Sequence, residues 1–186
     1  MEYVFEYNDE WRNAIKIMDT FKIDFSNHIR SGWLIILGVL ICVNFPYILS
    51  FLYPSQQYED SILVGIIVFV LFVLPAIIIH VNYYLVNRGD VLKYSPQQKE
   101  IIILHKGISN TFNLNDIDRI ERSMSFNEAE HRSSVLPWDG YNHSVIYLKN
   151  GKVFTLTSLL ITYLDLPMEE GKIVIKKNIY RLAKVR

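Results

Sequence analysis

The sequence has 186 residues, room for one ordinary domain and a further segment. Lys plus Arg and Asp plus Glu balance at 19 each, so net charge gives a nucleic-acid partner no support. The single cysteine, Cys42, excludes a disulfide framework and a cysteine-built metal site within one chain.

The first predicted element is a helix. Asn8 or Asp9 is placed to cap it, and Trp11, Ala14, Ile15, Met18 and Phe21 recur at helical spacing. This predicts a short amphipathic helix within a cytoplasmic N-terminal segment, residues 1–30. The acidic residues Glu2, Glu6, Asp9, Glu10, Asp19 and Asp24 disfavour an anionic leaflet, so the apolar stripe is expected to pack on the rest of the protein.

Charge then disappears. Residues 31–58 contain no Asp, Glu, Lys or Arg, and neither do residues 61–87; only Glu59 and Asp60 separate the two runs. Residues 31–87 read as a transmembrane hairpin with spans at 33–53 and 62–81, each matching the ~20 apolar residues that cross a hydrocarbon core. Lipid offers backbone amides no partner, so both runs are expected to be helical, with Pro46 and Pro75 tolerated as local kinks. The connector, residues 54–60, has no Lys or Arg. Lys22 and Arg30 precede the first run, and Arg88, Lys93 and Lys99 follow the second. Both termini are therefore expected in the cytoplasm, in a multi-pass protein of the plasma (inner) membrane. Trp33, Tyr53, Tyr83 and Tyr84 stand where aromatic rings favour the interface. Asn44 is expected to bond across to the second helix, and His80 to reach interfacial water. The spans hold no Asp, Glu, Lys or Arg on which to build a proton relay, so they read as an anchor.

From residue 88 to 186 the texture is that of a β-rich domain. Short runs, DVLKY, EIIILH, SNTFNL and DIDRIERSMSF, alternate with turns at SPQQ and Gly107. In HSVIYLKNGKVFTLTSLL, Asn150-Gly151 flanked by Val145, Tyr147, Val153 and Thr155 is a strong hairpin signal. Several short strands at close spacing predict an antiparallel sheet, barrel-like or a sandwich.

This order of parts, with LPWDGYNHSVIYLKNGKVFTLTSLL at residues 136–160, resembles small bacterial membrane proteins that carry a cytoplasmic pleckstrin-homology-like (PH-like) domain. The resemblance implies an α+β membrane protein: a two-helix transmembrane hairpin, an antiparallel β PH-like barrel or sandwich, and the short N-terminal helix. It implies a fold more than an activity. Lipid-binding members of the wider fold place a basic cluster on the first two strands. Here Lys93, Lys99 and Lys106 stand without an arginine, which argues against specific inositide binding. The fold normally ends in a long helix. Pro167 and Gly171 fall where such a helix starts, and KIVIKK alternates, so either a short helix or a strand closes this chain.

Residues 127–142 contain Glu128, Glu130, His131, Arg132, Trp138, Asp139 and Tyr141, with His143 just beyond. No HExxH, phosphate-binding glycine loop or nucleophile elbow occurs, so no catalytic residue, metal ligand or cofactor is assigned. The segment reads as a solvated loop, with Trp138, Asp139, Tyr141 and His143 as candidate binding residues. Lys172, Lys176, Lys177 and Arg181 are candidate contacts to the membrane surface, or simply a solvated face. The expected function is a membrane-anchored binding or scaffolding module that presents the PH-like domain to a protein partner or the inner leaflet, with self-association open. Two alternatives stand beside it. One is a membrane enzyme built on His131, Asp139 and His143. The other is a structural protein whose hairpin oligomerises, using small packing spots at Gly38 and Gly65.

Overall fold

A computed structural model describes residues 18–53, 58–133, 136–164, 166–169 and 171–184. Most of the expected N-terminal helix lies outside the described residues. Its last stripe position departs from the expectation: Asp19–Lys22 is a strand, β1, and Phe21 packs against the β-domain core. Tertiary pairing has overridden a helical period of only a few residues.

Helix α1, Phe25–Leu52, starts at a reciprocal cap. Asn27 N donates to Asp24 Oδ1 at 3.0 Å, and Asp24 N donates to Asn27 Oδ1 at 2.9 Å, which satisfies two amides at the helix start. Pro46 lies within the helix. Asn44 does not reach the second helix, because its Nδ2 donates to Leu40 O of its own helix at 2.8 Å. The return run is α2, Tyr58–Val68, a π-helical turn over Phe69–Val73, and α3, Leu74–Asn87. The wide turn has a local cause. Pro75 has no N–H and its ring crowds the preceding turn, and Leu74 N bonds Phe69 O one residue further back than in an α-helix. Phe25–Leu52 and Asp60–Asn87 are each 28 residues long and apolar enough to cross a membrane by length and composition. The two helices meet at glycines. A Cβ at Gly38 would stand 3.0 Å from Val73 Cγ2, and one at Gly65 would stand 3.4 Å from Cys42 O. The small spots expected for oligomerisation are therefore used inside the hairpin.

β2, Val91–Ser95, follows α3 and pairs antiparallel with β1, with Phe21 opposite Leu92 and Lys22 opposite Val91. The whole hairpin is thus inserted between two neighbouring strands of one sheet. The boundary expected at residue 88 is corrected, since the β domain takes its first strand from Asp19–Lys22. β3, Glu100–His105, and β4, Ile108–Asn113, complete a four-stranded antiparallel sheet in the order β1-β2-β3-β4.

A 3₁₀ turn, Leu114–Asp116, leads into β5, Ile117–Met124. After a short helix α4, Phe126–Ala129, come β6, His143–Leu148, and β7, Val153–Thr157. Val145 pairs with Thr155 and Tyr147 with Val153, the register expected around Asn150-Gly151. Gly151 has φ +84°, a conformation glycine adopts without penalty. The closing element is a strand, β8, Ile173–Lys177, which lies parallel to β5 at the edge of a sheet ordered β7-β6-β5-β8. The second sheet is therefore mixed and not wholly antiparallel. A parallel neighbour needs a long return, and residues 158–172 supply it.

Both sheets contribute to one apolar core. Leu92, Ile101, Ile103 and Phe112 come from the first, and Ile117, Ile120, Ile146, Leu148 and Leu156 from the second. A second buried cluster joins the helices to the domain: Ala76, Ile79, Tyr83 and Val86 of α3 meet Trp138, Tyr141, Leu159 and Ala183.

Candidate functional site

The polar chemistry concentrates where α3 meets the second sheet. His80, Tyr83 and Asn87 recur at helical spacing, so α3 presents them along one face near its end. Asn87 is 1% exposed and serves as an extra rung beside β7. Its Nδ2 donates to Thr155 O at 2.8 Å and to Asp90 Oδ2 at 2.9 Å, and its Oδ1 accepts from Thr157 N at 2.8 Å. One turn earlier, Tyr83 Oη lies 3.0 Å from His143 Nδ1. Burial pushes His143 down to about 4, with the Arg181 charge adding to the effect. It is therefore neutral near pH 7, and a neutral imidazole can accept from the Tyr83 hydroxyl.

His80 connects three elements. Its Nδ1 lies 2.7 Å from Tyr141 Oη, and its Nε2 lies 2.9 Å from His28 Nδ1 near the start of α1. Tyr141 also meets Tyr83 edge-on at 5.6 Å between ring centroids. Burial raises the Tyr141 pKa, so the phenol stays protonated.

Arg181 lies beneath this layer and is 1% exposed. Its guanidinium donates to Tyr141 O at 2.6 Å, to Trp138 O, and to Asn178 O at 2.7 Å. Burial lowers its pKa, opposed by the charges of Glu128 and Asp139 among others. Glu128 is raised chiefly by burial, against the hydrogen bond from Asn142 at 2.6 Å and the charges of Arg181 and Arg122. A cation bonded to several carbonyls can hold a loop and a tail together, because removing either would leave it buried and under-bonded.

The residues expected on an exposed loop are placed otherwise. Trp138, Asp139, Tyr141 and His143 are between 1% and 8% exposed and face α3 or their own loop. Asp139 Oδ2 accepts from Asn127 Nδ2 at 2.9 Å and from Leu136 N at 3.0 Å, which closes the loop on itself. The solvated-loop expectation is thereby corrected, since aromatic burial against α3 outweighs the polarity of the segment. In the basic tail only Arg181 departs from the expectation, because it is buried. Lys172 pairs with Glu169 at 3.0 Å, Lys176 with Glu121 at 2.8 Å, and Lys177 with Glu130 at 3.2 Å. His131 is exposed with φ +53°, away from this buried layer. Among the described residues no three of His, Cys, Asp and Glu gather as a metal site.

Sequence reading missed His28, Asn82 and Asn87. The signal available was a cluster of polar residues at positions 80, 82 and 87 closing an apolar run. An open groove does exist on the outward face of the second sheet, lined by Ser123, His143, Tyr147, Thr155, Lys176 and Lys184.

No curated protein and no solved structure matches the chain. Residues 20–167 match a family model described as PH domain, a stretch that begins in β1, runs through both helices and ends beyond β7. The chain belongs to this PH domain family.

Proposed function

We propose that the chain is a membrane-anchored binding module: its two long helices cross the bilayer, and its PH domain is held at the cytoplasmic face for a protein partner or the leaflet surface. The observation that carries this reading is the insertion of the hairpin between β1 and β2, reinforced by the bonds of His80, Asn82, Tyr83 and Asn87 to the domain. A domain on a loose tether needs none of these. A domain whose sheet is completed across the hairpin holds its open groove in one orientation to the bilayer, which lowers the orientational cost of meeting a membrane-bound partner. Binding is favoured over catalysis because Tyr141 and Asp139 are bonded within the fold and buried, and His143 contacts Tyr83.

The test is topology. Asp60→Cys and Asn150→Cys, each in a Cys42→Ser background, are treated with a membrane-impermeant maleimide on intact cells. The reading predicts labelling at position 60 from outside and at position 150 only after permeabilisation. Labelling of both positions from the same side would overturn it.

A further inference from the structure

The segment after β8, residues 178–184, carries apolar side chains that its own domain leaves uncovered. Ile179, Tyr180 and Leu182 are 57%, 60% and 53% exposed, whereas Arg181 and Ala183 are buried. From residue 180 onward the side chains alternate open and seated, as on an extended strap lying on a surface. The seated side chains fix where the open ones lie. Ala183 N donates to Asn82 Oδ1 at 2.8 Å, and Asn82 Nδ2 returns a bond to Ala183 O at 3.2 Å. Arg181 holds Tyr141 O, and the Tyr141 hydroxyl meets His80.

Asn82 and His80 belong to the closing turns of the second apolar run. Val81 and Leu85, on either side of Asn82, are themselves 48% and 57% exposed. The strap therefore lies beside the stretch of α3 where the run passes from apolar to polar, with Leu182 also lining the groove on the second sheet. Tyr180 packs on Trp138 at 5.8 Å between centroids, Lys184 follows, and Arg88 lies over the Tyr84 ring at 5.8 Å. Aromatic rings with cations at the end of an apolar helix make the composition of a membrane–water interface.

We infer that residues 178–184 form a second membrane contact, an interfacial strap whose Ile179, Tyr180 and Leu182 enter the headgroup–acyl boundary of the leaflet at which α3 ends. This rests on the reading of the helices as membrane-spanning. Lipid is the occupant because the strap is bonded to the closing turns of the long apolar helix, the level at which that helix meets the headgroups. The attraction is apolar, since Lys172, Lys176 and Lys177 already face carboxylates. Zwitterionic lipid therefore suffices.

The full chain is reconstituted in phosphatidylcholine vesicles with one cysteine carrying a polarity-sensitive fluorophore: native Cys42, or Tyr180→Cys, Leu182→Cys or Asn150→Cys in a Cys42→Ser background. Positions 180 and 182 are expected to emit to the blue of position 150. They should be quenched by lipid spin-labelled near the headgroup, at a depth of about 5–10 Å, more strongly than by lipid labelled near the methyl end. Position 150, at the far turn of β6, should respond to aqueous iodide alone. Cys42, well inside α1, should be quenched by the deep spin label. If Cys42 responds to lipid while 180 and 182 respond only to iodide, the strap is wrong and the hairpin stands. If Cys42 responds only to iodide, the membrane reading fails, and the strap with it.

Discussion

Asn87 gives the sharpest test of how the helices and the domain are joined. Its side chain is 1% exposed and makes three bonds of 2.8 to 2.9 Å, to Thr155 O, Thr157 N and Asp90 Oδ2. Asn87→Ala removes all three. Thr157 is fully buried, so its amide would lose its partner without water replacing it, at about 1–3 kcal/mol. Thr155 is only half-buried and can recover part of its loss from solvent, and Asp90 keeps His105 Nδ1 at 2.9 Å. The expected total is about 2–3 kcal/mol, concentrated at one end of β7. Hydrogen exchange of the full chain in nanodiscs reads this directly. The Thr157 amide should exchange roughly 30 to 150 times faster, at 1.4 kcal/mol per tenfold, while amides of β3 and β4 change little. Asn87→Asp keeps the shape but loses both donor bonds and sets a carboxylate against Asp90, so it should cost at least as much as alanine. A change at Thr157 below about fivefold, corresponding to less than about 1 kcal/mol, would refute the account of Asn87 as a rung of the sheet.

Acid should loosen the same junction through His143. Its pKa falls to about 4 in the fold against about 6.5 unfolded, so between those values the unfolded chain binds the extra proton. Stability is then fully present above pH 6.5 and declines by about 3 kcal/mol as pH falls to 4, and His143→Gln should flatten that part of a urea-unfolding profile. Arg181→Met should free residues 178–184, seen as faster proteolysis of the tail. It should cost about 3–5 kcal/mol, and Arg181→Lys should not rescue it, because one ammonium cannot reproduce the planar fork toward Tyr141 O and Trp138 O. Gly38→Leu should force α1 away from Val73, at about 1–3 kcal/mol in thermal unfolding, and Val73→Ala should recover part of that loss.

The strands of the β domain could be read in the sequence where local chemistry decides them. Asn150-Gly151 announces its hairpin because the turn demands φ > 0, and the strand register follows from it. β1 is hidden because four residues carry little pattern, and its partner, β2, lies beyond the whole hairpin. β8 shows its alternation but not its parallel pairing with β5, which depends on the route of residues 158–172. The candidate site suffered from a different ambiguity. Tyr141 and His143 in a polar segment look solvated until α3 is known to lie against them, and only the assembled fold brings α3 there. Likewise Asn87 resembles the end of a helix in sequence and acts as part of a sheet in space.

The bonds from α3 to β7 and to residues 178–184 join the hairpin and the PH domain into one unit. One distance measurement tests it most directly. Spin labels at Ile66, exposed on α2, and Asn150, at the distal turn of the domain, are introduced into the full chain in nanodiscs and read by double electron–electron resonance. A fixed platform predicts one narrow distance distribution, which broadens when Asn82 and Asn87 are both changed to alanine. A broad distribution already in the unaltered junction would show a domain swinging on a tether and would contradict the account.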